Sequence, residues 1–167
     1  MVEIRRATEQ DWPTLKRVRL AALREAPYAF GSTYEKERQW DDDKWREWAS
    51  WGQQGGEQVV FFGFGNGNRP VGMVAAFREQ DGVVLIAMWV APSARREGVG
   101  RALVQAVVSW AADLDARRVI LWVADDNTAA SDLYSSLGFR PTGETEPLPS
   151  DPSHEISRLE LDLRTSA

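Results

Sequence analysis

The run Arg95-Arg96-Glu97-Gly98-Val99-Gly100-Arg101 places three arginines and two glycines within seven residues. It follows an apolar stretch, Val83 to Val90, and opens into residues with helical periodicity. A strand that feeds a helix through a glycine loop presents unpaired backbone N–H groups, and the positive end of the helix dipole, to whatever lies in front of it. Glycine lets that backbone approach an anion with no side chain between them. Arg95, Arg96 and Arg101 add positive charge. The chemistry suggested is pyrophosphate binding; a tight turn that merely starts a helix is the bland alternative. Two other phosphate loops do not fit. No Gly-Lys-Ser/Thr follows, as a P-loop requires, and Gly98-x-Gly100 lacks the third glycine of the dinucleotide fingerprint. The glycine-bearing stretch Gly63 to Asn68 leads into Pro70 and another β-type run, so it reads as a hairpin turn at Asn66-Gly67.

What is missing narrows the chemistry further. The 167 residues contain no cysteine and one histidine, His154. That excludes a thiolate zinc site, an iron–sulfur cluster and a cysteine nucleophile, and leaves no set of histidines for a metal. A net charge of −5 argues against a general nucleic-acid binder. No apolar run approaches the length of a membrane span. The first residues lack the basic-then-apolar order of a signal peptide, so the expectation is a cytoplasmic protein without a membrane partner. The length suits one domain, residues 1–167.

The elements that must hold the glycine loop follow from periodicity. Val2 to Arg6 reads as a strand. Thr8 and Asp11 have the spacing of a capping box, and Leu15, Val18, Ala22 and Leu23 continue a helix that Pro27 stops. Ser32-Thr33 caps a second helical piece, and Asp41 to Trp51 forms a third. Gly52 to Gly56 is a polar break. Gln58 to Phe64, Val71 to Glu79 and Val83 to Val90 are strands; the last is nearly all apolar and is expected at the centre of the sheet, buried on both faces. Val99 to Leu114 is a helix and Arg118 to Val123 a strand. Thr128 to Leu137 is a helix ended by Gly138. Phe139-Arg140 starts a strand, Thr142 to Ser153 with its three prolines reads as a loop, and Ile156 to Leu163 alternates as a final strand. This order specifies a three-layer α/β (α+β) plan, a central sheet with helices on both faces.

The loop also carries a family resemblance. Arg95-Arg96-Glu97-Gly98-Val99-Gly100 matches the Arg/Gln-x-x-Gly-x-Gly/Ala motif of the GNAT superfamily of N-acetyltransferases, and Val90-Ala91-Pro92 resembles that family's strand end. Val123, Asn127, Ala130, Leu133-Tyr134 and Leu137-Gly138-Phe139 look like its V-x-x-x-N-x-x-A-x-x-L-Y-x-x-L-G-F segment. The resemblance implies a mixed, mostly antiparallel sheet of about seven strands. It implies acetyl-CoA as donor and no metal. The acetyl group would pass directly to a primary amine of a small molecule or peptide, within a ternary complex. By resemblance Arg95, Arg96, Gly98, Val99, Gly100 and Arg101 cradle the pyrophosphate, and the strand edge Met88 to Val90 bonds the pantetheine arm. The Val90 N–H stabilises the oxyanion, Asn127 contacts the arm, and Tyr134 sits near the sulfur as the acid. The family also implies a homodimer. A non-catalytic acyl-CoA-binding module, or an enzyme acting on protein N-termini or lysines, are the alternatives.

Two questions stay open at this level. Some family members carry a glutamate on the strand before the loop, and Val83 to Val90 has no acid; Glu35, His154 or a water chain are candidate bases. Four of the eight tryptophans (Trp40, Trp45, Trp48, Trp51) fall in the segment where this family varies its acceptor site. They either line an acceptor wall or pack on the sheet, and packing is the simpler expectation.

Overall fold

The computed structural model describes residues 2–53 and 56–164; Gln54 and Gly55, inside the expected polar break, lie outside them. The strands are β1 (Glu3–Arg6), β2 (Gln58–Phe64), β3 (Gly72–Glu79), β4 (Gly82–Val90), β5 (Arg118–Ala124), β6 (Arg140–Leu148) and β7 (Asp151–Asp162). The helices are α1 (Trp12–Glu25), α2 (Tyr34–Glu37), α3 (Asp42–Ala49), α4 (Val99–Asp113) and α5 (Thr128–Ser136). The strands form one sheet in the order β1-β2-β3-β4-β5-β7-β6. Every neighbour pair is antiparallel except β4 with β5. Among the described residues no helix is long and apolar enough to cross a membrane.

The two faces of the sheet carry separate cores. Val59, Phe61, Val74 and Ala76 pack with Leu103, Val107 and Trp110 of α4 and with Tyr134 of α5. The alternate residues Val60, Phe62, Met73 and Ala75 pack with Leu15, Val18 and Leu23 of α1 and Trp45 of α3. Because helices cover both faces, β2 and β3 are apolar at nearly every position instead of alternating. The helix starts follow from local chemistry. The Asp11 carboxylate accepts from the Thr8 N–H (2.8 Å) and hydroxyl (3.2 Å) before α1. The Asp41 carboxylate caps α3 by accepting from the Lys44 N–H (2.9 Å).

Three expectations need correction. Thr142 to Ser153 is not a loop: β6 runs on to Leu148 and β7 starts at Asp151, so a long hairpin turns over Pro149 and Ser150. Proline lacks a ladder donor but is tolerated on an edge strand, and β6 is the outermost strand of the sheet. His154 therefore stands within β7. Second, β4 is central but buried throughout only from Gly82 to Leu85; its last five residues are half-buried except Trp89. Third, the helical piece expected over Asp41 to Trp51 closes earlier, at Ala49.

The tryptophans of this segment pack. Trp45 is fully buried, and Trp40 and Trp48 lie against it with ring centroids 4.9 and 6.0 Å away. Beside them the buried Arg19 of α1 meets Glu37 of α2 in a bidentate pair, Nε to Oε1 at 2.8 Å and Nη2 to Oε2 at 3.0 Å. The Arg19 guanidinium also lies over the Phe30 ring at 4.8 Å. This pair ties the short α2 to α1. Replacing Glu37 with Ala leaves a buried cation without its counter-charge, and the expected cost is roughly 3–5 kcal/mol. Urea unfolding measures it; an unchanged midpoint would show the pair to be dispensable.

Candidate active site

β4 and β5 pair over only three positions, Gly82↔Arg118, Val83↔Val119 and Val84↔Ile120. Beyond them β4 stays with β3 as far as Val90, and β5 stays with β7 as far as Ala124. The two strands part, and a cleft of about 890 Å³ opens where the pairing stops. A bulge in β4 accompanies the parting. Met73 faces Trp89 but Ala75 faces Ile86, so β4 carries one extra residue, and Ala87 takes a left-handed φ of 57°. That conformation costs a non-glycine residue about 1 kcal/mol or more.

The strand ends present unpaired backbone to this gap. The Ala91 N–H donates to the Val71 carbonyl at 2.7 Å. Groups alternate along a strand, so the N–H and carbonyl of Val90 point the other way, into the cleft. The Val90 carbonyl is taken by Arg95, whose Nε donates to it at 3.0 Å. The Val90 N–H is left facing the gap.

The glycine loop lies at one end of the cleft. Arg96 (φ 67°) and Gly98 (φ 89°) are both left-handed, and Gly98 is the N-cap of α4 with no side-chain cap. Alternating left-handed residues turn successive N–H groups toward one side. The first intrahelical donation onto the cap is Ala102 N–H to Gly98 carbonyl, at 3.0 Å; the N–H groups before it are the orphan donors of a helix start. Gly100 lets α4 start close against the cleft wall, because a Cβ there would stand 3.1 Å from Met88 Cε and 3.3 Å from Leu133 Cδ2.

The residues expected from sequence converge here. Met88, Val90, Arg95, Arg96, Gly98, Gly100, Arg101, Asn127 and Tyr134 all line the cleft. Val99 does not: its side chain is buried in the core, and only its backbone faces the loop. The Asn127 side-chain oxygen caps α5 by accepting from the Ala130 N–H at 3.3 Å, which leaves its amide donors for the cleft. Arg101 Nη2 donates to Ser136 Oγ at 2.9 Å and links α4 to α5. Arg95 is engaged elsewhere: besides Val90 it holds Glu25 Oε1 through Nη2 at 2.6 Å. Tyr134 stands against Phe139 with ring centroids 5.7 Å apart, and burial pushes its phenol well above the ordinary range.

Of the candidate bases, Glu35 lies outside. It is exposed and paired with Arg38 at 3.0 Å. His154 stands at the rim, its Nδ1 3.1 Å from Asp126 Oδ2. Reasoning from sequence missed Glu25, Trp122 and Asp126, all of which line the cleft; Tyr28 and Phe30, from the variable acceptor segment, line it as well. Trp122, next to Val123, and Asp126, next to Asn127, each border a motif residue that could have pointed to them.

The gap joins the two faces of the sheet. Met88, Val90 and Tyr134 belong to the α4–α5 side, whereas Ile86, Ala87 and Trp89 belong to the α1 side, with Glu25, Tyr28 and Phe30 completing that wall.

The sequence profile of the Acetyltransferase (GNAT) family matches residues 17–139. N-acetylaspartate synthetase of Danio rerio is 39% identical over 100 residues, covering 58% of this chain and 36% of that protein. The chain spans between 36% and 59% of the length of the curated relatives it matches. Among solved structures, a GNAT-family acetyltransferase of Streptococcus pneumoniae superposes with a TM-score of 0.80 at 20% identity, covering 96% of this chain and 98% of that one. The PaiA N-acetyltransferase of Thermoplasma acidophilum, solved with coenzyme A, gives 0.74 at 16% identity over 97% and 99%. These two show a shared fold.

The loop conformation carries its own test. A Cβ on Gly98 would meet nothing within 4 Å, so its φ alone opposes substitution. Gly98→Ala is expected to cost about 1 kcal/mol. Thermal unfolding checks this, and full stability in the variant would show that the left-handed cap is not required.

Proposed function

The chain belongs to the Acetyltransferase (GNAT) family, and on that premise we propose that it transfers the acetyl group of acetyl-CoA directly to a primary amine of a small molecule or peptide, with both substrates bound together. The observation that carries this reading is a cleft that passes through the sheet, with a helix start lacking a side-chain cap on one face and a separate wall on the other. One long substrate and one short one can meet at the gap without sharing a side.

The residues present fit the donor. The orphan N–H groups of the loop and of the first turn of α4, with Arg96 and Arg101 beside them, suit a pyrophosphate. The unpaired edge of β4 past Val84 suits an arm bearing amides, which would replace the missing ladder partner. Bound there, acetyl-CoA supplies an activated acyl carbon and a thiolate leaving group.

Each protein group then has a limited task. A primary amine has a pKa near 10 and must lose a proton before its lone pair attacks. The Val90 N–H faces the gap and meets the negative charge that develops on the carbonyl oxygen as the C–N bond forms; a donor of this kind is worth roughly 10²–10³ in rate. The C–S bond breaks, and Tyr134 hands a proton to the sulfur. The nitrogen releases its second proton as the amide forms, and this restores the phenol. Because burial keeps Tyr134 protonated, it acts as a donor and never as the initial base. Holding the two substrates side by side provides much of the remaining acceleration, and no covalent enzyme intermediate is needed.

Thiol release from acetyl-CoA tests the reading with no signal from protein thiols, because the chain has no cysteine. A panel of amines, amino acids and peptides names the acceptor class, including protein N-termini or lysines if peptides alone respond. Tight acetyl-CoA binding with no release from any acceptor would favour a non-catalytic binding module. Tyr134→Phe is expected to lower turnover on the order of 10²-fold with acetyl-CoA affinity intact; unchanged turnover removes it from the mechanism. Gly100→Val is expected to weaken acetyl-CoA binding at least about tenfold by pushing Met88 and Leu133 out of place on the cleft wall, as calorimetry would show; equal affinity would place the arm elsewhere.

A further inference from the structure

The acetyl-transfer reading leaves the first proton of the acceptor amine without a destination. The titratable side chains on the cleft wall are Glu25, Tyr28, Asp126, Tyr134 and three arginines. Arginine stays protonated, and Tyr134 is kept protonated by burial. Glu25 is spoken for: its Oε1 accepts from Arg95 Nη2 at 2.6 Å and from Trp89 Nε1 at 3.0 Å. Two donors, one of them a cation, already occupy that oxygen, so Glu25 is committed to holding Arg95 and Trp89 in place.

Asp126 differs. Its side chain is 61% exposed and has no arginine or lysine partner among the described residues; what it holds is the imidazole of His154, with Nδ1 3.1 Å from Oδ2. The far side of the ring, Nε2, stands 3.7 Å from Asp151 Oδ2. Asp151 is kept ionised by the Ser153 hydroxyl and N–H, which lower its pKa. One face of the ring stacks on Tyr28, centroids 4.3 Å apart and planes 28° from parallel. The groups against the imidazole are thus Asp126 from the β5–α5 turn, Asp151 from the start of β7, and Tyr28 from the turn after α1. An imidazolium here would lie between two carboxylates, with a quarter of its surface open to solvent.

Resting on the acetyl-transfer reading, we infer that Asp126 receives the acceptor as an ammonium ion and that the Asp126–His154 pair takes its first proton. The N–H bond of the ammonium breaks toward Asp126. The neutral ring carries its own proton on Nε2, toward Asp151, so Nδ1 has the lone pair that takes the proton from Asp126, and the imidazolium then releases its Nε2 proton to solvent at the exposed ring edge. The freed lone pair then forms the C–N bond. Asp126 touches the substrate, whereas His154 acts through it. The acceptor class that this selects is a cationic primary amine, and its carbon body lies along Tyr28 and Trp122.

The test uses the full chain, acetyl-CoA, and benzylamine, phenethylamine, spermidine and a tripeptide with a free N-terminus, read by thiol release. The best of these is carried through a pH series. If the pair takes the proton, the wild-type kcat/KM for the amine is level between neutrality and the amine's own pKa. In His154→Gln only amine deprotonated in solution reacts, so the profile rises about tenfold per pH unit over that range. Turnover at pH 7 falls on the order of 10²-fold, with acetyl-CoA affinity within about twofold. Asp126→Asn is expected to raise KM for the amine at least about tenfold with acetyl-CoA affinity again retained. A His154→Gln enzyme that keeps the level profile and its rate overturns the proton route, and an unchanged amine KM in Asp126→Asn overturns the ammonium site; either leaves acetyl transfer standing. A wild-type protein that binds acetyl-CoA and releases thiol with none of the amines overturns the acetyl-transfer reading and this inference with it.

Discussion

β4 and β5 hold each other for three residue pairs and then separate, and the geometry of the site depends on that separation. A parallel pair in mid-sheet would ordinarily continue, because a buried backbone group without a partner costs about as much as a lost hydrogen bond. Here the strands are pulled toward their other neighbours, β3 and β7, and the bulge at Ala87 swings the end of β4 away. The half-buried condition of Ile86 to Met88 and of Val90 is the surface expression of the same event. Helices on both faces keep the opened sheet from collapsing, since each face retains its own core.

The rim of the gap is held by polar contacts between segments far apart in the chain. Glu25 ends α1 and reaches Arg95, 70 residues away, and Arg95 in turn fastens the Val90 carbonyl. On the opposite rim, Ser150 donates to the Phe30 carbonyl at 2.7 Å and so ties the hairpin tip to the turn after α1. These bonds fix the ends of β4, α1 and the β6–β7 hairpin relative to one another. A backbone donor such as Val90 N–H can serve a reaction only if it already points the right way.

Motif and periodicity made the loop, the order of elements and nine of the cleft-lining residues legible in the sequence. Gly98 and Gly100 announce a special backbone, and Asn127 and Tyr134 stand at fixed intervals on one helix. The signal was weaker wherever a side chain's partner lay far off in sequence. Glu25 looks like any last-turn acid until Arg95 and Trp89 reach it. Glu37 looks like a solvated helix residue yet is buried against Arg19. Ala87 adopts a glycine-like φ with no glycine to mark it. The three prolines of 142–153 suggested a loop, because a proline at the rim of a sheet and a proline in a turn are alike in sequence.

The β6 strand has one more consequence. It is one of the two edges of the sheet and exposed at every residue but Leu148. Such an edge ordinarily invites a strand from another molecule and begins aggregation. Pro141 and Pro147 each remove a donor from it, and Glu144 and Glu146 place negative charge along it. An incoming strand would find an interrupted ladder and a repulsive border, so this edge offers no ribbon to lengthen at high concentration. Residues that hide the hairpin from a reader of the sequence thus guard it against its own kind.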